Sequence, residues 1–84
     1  MKNLDKRIGV IAIIVNNPAD SQEELNQILH SHGNIILGRL DLPRNKVNLS
    51  IISLIVEGTT GQLGAMIGQL GQINNISVKT AFAK

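Results

Sequence analysis

The sequence predicts one small α+β sandwich whose elements follow one another as strand, helix, strand, strand, helix and strand. Two runs, residues 8–15 and 49–56, are apolar on both alternating sets, which is typical of strands in the middle of a sheet. Two further segments carry apolar residues at helical spacing, and each is followed by a glycine. With 84 residues, the chain has room for one domain and one thin core.

The first strand and the first helix are predicted from their patterns and end signals. Residues 8–15 form the strand, and an Asn-Asn-Pro turn closes it. Ser21 and Glu24 have capping-box spacing, so we expect Asp20 or Ser21 to cap the start of the helix. Its apolar stripe ends before Gly33, a residue type that suits the end of a helix.

The second and third strands differ in character. Residues 35–42 carry Arg39 and Asp41 on one face, and this mixed pattern predicts a strand at the edge of the sheet. Apolar side chains hold its other face: Ile36, Leu40 and Leu42. Residues 49–56 are apolar on both sets and are predicted to be central.

The second helix follows a loop over residues 57–61, and its apolar stripe ends at Gly71. Gly64 and Gly68 lie on the opposite side from this stripe, where each costs up to about 1 kcal/mol relative to alanine. We expect them to allow close packing on the first helix or, alternatively, contact with another subunit or a ligand. Residues 76–82 alternate in polarity and are predicted to form the second edge strand.

The connections predict a ferredoxin-like βαββαβ sandwich, with a four-stranded antiparallel sheet and two helices on one face. Right-handed crossovers are expected to place the first and third strands side by side and parallel to each other, with the others at the edges. The opposite sheet face stays bare and is more apolar than soluble monomers usually expose. We therefore expect a homo-oligomer, a dimer or a tetramer, that forms through the sheet face or the sheet edges.

Composition excludes several classes of site. The sequence holds no cysteine, which excludes disulfides, thiolate metal sites and cysteine nucleophiles. Its net charge of +2 is too weak and scattered for a nucleic-acid surface, so no direct nucleic-acid binding is expected. No apolar run reaches the roughly 20 residues that span a bilayer. We expect a cytoplasmic protein without a membrane partner.

The polar residues do not form a catalytic pattern. His30 and His32 stand two positions apart, which on a helix points them about 200° away from each other and prevents binding of one metal ion. Glu23, Glu24 and Glu57 are not on one element, and no serine has a base placed to activate it. We therefore expect no catalytic residue, no metal and no cofactor, and so no enzyme.

A ligand site is predicted at one end of the sheet, on the premise that the first and third strands are parallel. The loops leaving these strands would then meet, with the backbone N–H groups of both helix starts aimed at the gap. This suits a small anionic or amino-acid-like ligand, and Arg39 would add a positive charge from a neighbouring subunit. The predicted site residues are Asn16, Asn17, Asp20, Arg39, Gly58, Thr59, Thr60 and Gly61. As an alternative, the loop residues are only turn formers and helix caps.

Short phrases along residues 7–84 resemble the family of iron-only hydrogenase system regulators, relatives of the amino-acid-binding ACT fold. They are RIGVI at 7–11, HG at 32–33, IILGR at 35–39, ISLIVEGT at 52–59, LGQI at 70–73 and VK at 78–79. The resemblance implies one ACT-like domain over residues 1–84, with 1–6 as a flexible N-terminus. It also implies a role in controlling or supporting hydrogenase maturation.

The fold is also similar to the sensor domain of nickel-responsive repressors, whose metal ligands include histidines on the second strand. The corresponding residues here are Leu40, Asp41 and Leu42, so nickel sensing does not follow from the likeness. Together, these observations predict a non-enzymatic regulatory module that self-associates and senses a small ligand. The alternative is a purely structural subunit of a protein assembly.

Overall fold

The computed structural model describes residues 6–83, and its elements follow the predicted order. They are β1 (Arg7–Asn16), α1 (Pro18–Ser31), β2 (Ile36–Arg44), β3 (Leu49–Gly58), α2 (Thr60–Leu70) and β4 (Ile76–Ala83). Short 3₁₀ helices at Gly33–Ile35 and Asn45–Val47 lead into β2 and β3. The N-terminus that we predicted to be flexible, residues 1–6, lies outside the described residues except for Lys6.

The four strands form one sheet in the order β2-β3-β1-β4, and each neighbouring pair is antiparallel. The ferredoxin-like α+β fold is therefore confirmed, with β1 and β3 in the middle and β2 and β4 at the edges.

The expected parallel pairing of the first and third strands is wrong. The α1 crossover returns the chain parallel to β1, but the tight turn at Asn45–Val47 reverses it, so β3 runs against both β2 and β1. Arg7 lies opposite Gly58, and Asn16 lies opposite Leu49. The carboxyl ends of β1 and β3 are consequently at opposite ends of the sheet.

The core lies between the helices and one face of the sheet. Its buried side chains are Ile11, Ile13 and Val15 on β1, Ile52, Leu54 and Val56 on β3, Leu25 and Leu29 on α1, Leu63, Met66 and Leu70 on α2, and Ile35 and Ile73 in connections. Each keeps at most 5% of its surface in water. Alternation along each central strand thus gives one set to this core and the other set to the bare face.

The starts of the two helices differ from the prediction. α1 begins at Pro18, whose fixed φ suits a first helical position, and the preceding Asn17 makes no side-chain cap. Ser21, which we expected to cap α1, is buried within the helix, and its Oγ finds no partner among the described residues. The capping box lies on α2, where Thr59 Oγ1 accepts from the Gln62 N–H and Gln62 Oε1 accepts from the Thr59 N–H.

A β-bulge in β2 changes which side chains share a face. The register shifts between Ile36 and Gly38, so Ile36 packs against the core while Leu40 and Leu42 lie on the bare face. The expectation that all three hold one face is therefore wrong, because the bulge inserts one residue between them. The strand also runs on through Pro43, which an edge position tolerates.

Candidate functional site

The residues predicted for one ligand site occupy three separate places. Asn16, Asn17 and Asp20 lie where β1 ends, whereas the segment of residues 58–61 lies at the opposite end of the sheet, beside Arg7. Arg39 lies along β2, between these two ends. The predicted meeting of the two loops is wrong because it depended on the parallel pairing of β1 and β3.

At the end of β1, asparagines form hydrogen bonds with one another. The Asn16 N–H donates to the Asn75 carbonyl over 2.7 Å, and the Asn17 N–H donates to the Asn48 carbonyl over 3.0 Å. Asn48 Nδ2 also donates to Asn17 Oδ1. Asn17, Asn48 and Asn75 all have positive φ, a conformation that asparagine tolerates better than most residues. These contacts join the ends of three strands and take up groups that we had assigned to a ligand.

Sequence reasoning missed Asn48 and Asn75. Each directly precedes a strand, Asn48 before β3 and Asn75 before β4, and an asparagine beside an apolar strand is one local pattern that indicates a left-handed turn. That pattern locates a turn, but it does not tell which turns meet.

At the opposite end, close packing occupies much of the segment of residues 58–61. A Cβ on Gly58 would come within 2.9 Å of Ile35 and of the Gln62 side chain, so only glycine fits there. Thr59 is engaged in the α2 capping box. Thr60 and Gly61 lie exposed in the first turn of α2.

Arg39 is held by its own chain. Its Nε and Nη2 donate to the two carboxylate oxygens of Asp41 over 2.6 and 2.8 Å, and Nη2 also donates to Asn26 Oδ1 of α1 over 2.9 Å. These side-chain hydrogen bonds lower the pKa of Asp41 below its ordinary value and raise the pKa of Arg39. Both groups therefore stay charged near neutral pH, which suits binding better than proton transfer.

This pair borders a small cleft between α1 and the β2 side of the sheet. The cleft encloses about 60 Å³ and is lined by Val15, Pro18, Gln22, Leu25, Asn26, Arg39, Asp41, Ser50 and Ile52. An open groove of about 460 Å³ adjoins it, lined by Asn26, Leu29, His30, Gly33, Ile36 and Arg39. Asn26 and Arg39 border both, so a small polar head in the cleft can continue into a larger group in the groove.

The two histidines have different surroundings. His32 lies just past α1, and its Nε2 is 2.9 Å from Gln69 Oε1, which links the end of α1 to α2. His30 is exposed and lines the groove. Across residues 6–83 there is no group of three or more side chains that could hold a metal ion. Over the same residues, neither helix has the length and hydropathy of a membrane span.

The bare face of the sheet carries a continuous apolar patch. Val10 lies opposite Ile55 and Ile14 lies opposite Ile51 across the two central strands. The seven large apolar side chains of this patch are 38–69% exposed: Ile8, Val10, Ile14, Leu40, Leu42, Ile51 and Ile55. A patch of this kind commonly marks an interaction surface.

The glycines of α2 do not serve close packing within the chain. A Cβ at Gly64 or Gly68 would have no neighbour within 4 Å, and both residues are exposed. Packing on the first helix, the first of our two explanations, is therefore wrong. Contact with another subunit or a ligand stays a prediction.

Comparisons with known proteins identify relatives of this chain. A family model described as "Iron-only hydrogenase system regulator, putative", of the TM1266-like family, matches residues 7–80. The structure of TM1266 from Thermotoga maritima, described as an uncharacterized protein, is 33% identical, with a TM-score of 0.89 over 94% of this chain and 99% of that one. No curated protein matches the chain.

Two more distant structures share the fold alone. A formyltetrahydrofolate deformylase from Pseudomonas putida KT2440 matches with a TM-score of 0.62 at 4% identity, over 88% of this chain and 28% of that one. The C-terminal domain of MgtC from Mycobacterium tuberculosis matches with a TM-score of 0.59 at 12% identity, over 99% of this chain and 94% of that one. Likeness at such low identity says nothing about activity.

Proposed function

Because this chain belongs to the TM1266-like family of iron-only hydrogenase system regulators, we propose that it is a cytoplasmic, non-enzymatic regulatory module that senses a small ligand as a homo-oligomer. The family match over residues 7–80 is the observation that carries the regulatory role. The state of Arg39 and Asp41 supports binding rather than catalysis, since each holds the other in its charged form.

The cleft beside α1 is the proposed ligand site. Arg39 would receive a ligand carboxylate, and Asp41 would receive an ammonium group, so an amino-acid-like molecule would complement both charges. The cleft of about 60 Å³ has room for little more than such a polar head. The side chain of the ligand would then lie in the adjoining groove, against Leu29 and Ile36.

This site replaces the predicted meeting of two loops. It keeps Arg39 from the predicted set and adds Asn26 and Asp41, which lie within hydrogen-bond distance of it. Asn26 also anchors the pair to α1, so a ligand that displaces this bond would change how α1 sits on the sheet. Such a shift is a physical route from binding to regulation.

The test is a thermal-shift screen of the purified protein against amino acids, nucleotides and divalent metals. An amino-acid-like compound should raise the melting temperature of the wild type and lose its effect in Arg39→Gln. Arg44→Gln is the matched control, because Arg44 is on the same strand but does not line the cleft. Equal stabilisation of all three proteins, or amide shifts confined to other regions, would contradict this site.

The alternative function is a purely structural subunit, and the apolar bare face is the observation that favours it. A structural subunit would assemble without responding to any compound in the screen. The sensing proposal is abandoned if the protein is oligomeric and no compound shifts its melting temperature.

A further inference from the structure

We infer that the bare face of the sheet is the interface between two copies of this chain, stacked face to face. The inference rests on the proposed function only for the statement that the chain is an oligomer. It goes further by choosing this face over the strand edges and over the outer side of α2, and by giving the relative placement of the two copies.

The outward side chains form rows across the sheet, because the register places them opposite one another. The first ridge consists of Ile14, Ile51 and Leu42. The second ridge consists of Val10 and Ile55, which lie opposite each other. Between the ridges, the small residues Ala12 and Ser53, also a directly opposed pair, form a valley on the two central strands, with Leu40 and Lys79 at its two ends. The face is therefore corrugated rather than flat.

The patch is large enough for a stable dimer. At 38–69% exposure, its seven large side chains leave roughly 600 Å² of apolar surface per copy in water. Two copies would bury about 1,200 Å² in total, the lower end of the range for specific interfaces. Neither ridge carries a charge, and the two charges of this face lie around them: Lys79 ends the valley row at the β4 edge, opposite Ala12, and Glu57 lies in the row beyond the second ridge, opposite Ile8. An uncharged centre with charges at the rim is typical of protein interfaces.

The corrugation is self-complementary. The two copies can be related by a two-fold axis that lies between the stacked sheets and runs parallel to the rows. If this axis passes midway between the valley and the second ridge, the second ridge of each copy lies over the valley of the other. Val10 and Ile55 would then face the partner's Ala12 and the partner's Ser53. Moving the axis to the far side of the valley would set the second ridge against the row of Asn16 and Leu49 and would leave Ile8, which is 43% exposed, uncovered.

The competing surfaces have less to bury. The outer side of α2 presents Gly61, Gly64 and Gly68, which offer backbone but no apolar side chains. The free edge of β2 carries the Arg39–Asp41 pair on one side and leaves Leu40 and Leu42 on the bare face, where stacking would cover them.

The experiment compares association of three variants with that of the wild type by sedimentation, after circular dichroism has verified folding. Ile55→Glu should weaken dimerisation at least about 100-fold, because an unpaired carboxylate would enter an apolar interface. Ala65→Glu, on the exposed side of α2, is the matched control and should associate like the wild type. Ala12→Leu should weaken dimerisation about 10-fold or more by filling the valley, although it adds apolar surface.

Each result supports or overturns the inference. A wild type that is monomeric throughout overturns both this interface and the oligomeric part of the proposed function. If Ile55→Glu still forms the dimer, the sheet-face interface is overturned but the oligomer is not. If Ala65→Glu loses the dimer, the interface is on α2 instead. If Ile55→Glu does not fold, Ala12→Leu decides: association as tight as that of the wild type overturns the proposed stacking.

Discussion

The two faces of the sheet are built from the same kinds of residue and end in opposite surroundings. On β1, Ile11 and Ile13 are fully buried under the helices, whereas Ile8 and Ile14 on the other face keep 43% and 41% of their surface in water. On β3, Leu54 is fully buried and its neighbour Ile55 is 41% exposed. The helices of one chain therefore cover one face of the sheet and leave the apolar side chains of the other face exposed.

This difference teaches that a strand pattern reports how apolar each face is but not what covers it. Two short helices can cover one face of a four-stranded sheet, but the strands carry isoleucine and valine on both faces. No part of residues 6–83 covers the second set, and we propose that a second copy of the chain does.

The largest expected effect contrasts neighbouring residues on the two faces. Leu54→Ala should lower the free energy of unfolding by about 2–5 kcal/mol, because it leaves a cavity in the core. Ile55→Ala should lower it by less than about 1.5 kcal/mol, and this loss should depend on protein concentration if the face is an interface. Urea unfolding at two concentrations measures both. Equal losses that do not depend on concentration would erase the contrast between the faces.

The next prediction concerns close packing on the covered face, between β1 and β4. Gly9 lies opposite Phe82, and a Cβ there would clash with the Phe82 ring and come within 2.5 Å of the Ala81 carbonyl oxygen. Gly9→Ala should therefore destabilise the protein by about 1–3 kcal/mol. Thermal unfolding measures it, with Gly33→Ala as the control, since a Cβ on Gly33 meets nothing within 4 Å. A neutral Gly9→Ala would show that Phe82 does not pack closely against Gly9.

A smaller effect is expected at the start of the helix that covers β3. Thr59→Ala removes one half of the α2 capping box and should lower stability by about 1 kcal/mol. Ser21→Ala, at the position that the sequence wrongly marked as a cap, should cost less, because the Ser21 hydroxyl has no partner among the described residues. Chemical denaturation of both variants compares them, and a larger loss in Ser21→Ala would reverse our assignment of the caps.

The sequence predicted the order of the elements and the sheet edges because these depend on local patterns. The doubly apolar runs around Ile11 and Leu54 identify central strands, and the charges at Arg39 identify an edge. The expected meeting of the two loops was wrong for a topological reason, since one hairpin reverses β3 relative to β1. Which asparagines meet, and which bulge turns Ile36 inward, depend on tertiary packing that no local pattern records.

The outer side of α2 gives a prediction of opposite sign. Gly64→Ala places its Cβ in open space and should stabilise the protein by about 0.5–1 kcal/mol through helix propensity. The melting temperature should rise in the isolated protein. A fall accompanied by a lower mass in solution would show instead that this side of α2 contacts a neighbour.

The smallest effect is expected for the exposed ion pair of Arg39 and Asp41, at the β2 edge of the covered face. The hydrogen bonds with Arg39 lower the pKa of Asp41 in the folded protein. Ionised Asp41 therefore stabilises the protein at pH values above its ordinary pKa of about 3.9. This stabilisation is lost as the pH falls through the lower pKa of the folded state. Because the pair is exposed, Asp41→Asn should cost only about 0.2–1 kcal/mol at pH 7. The difference between wild type and variant should shrink below about pH 4. A difference that stays constant with pH would exclude this ion pair as its source.

The mass of the wild-type protein in solution tests the central claim most directly. The account predicts that light scattering at micromolar concentration gives at least twice the 9.1 kDa of one chain, because the apolar patch on the bare face is covered by a second copy. A mass of 9.1 kDa that persists up to roughly 100 μM would contradict it, since an interface of this size should associate well below that concentration.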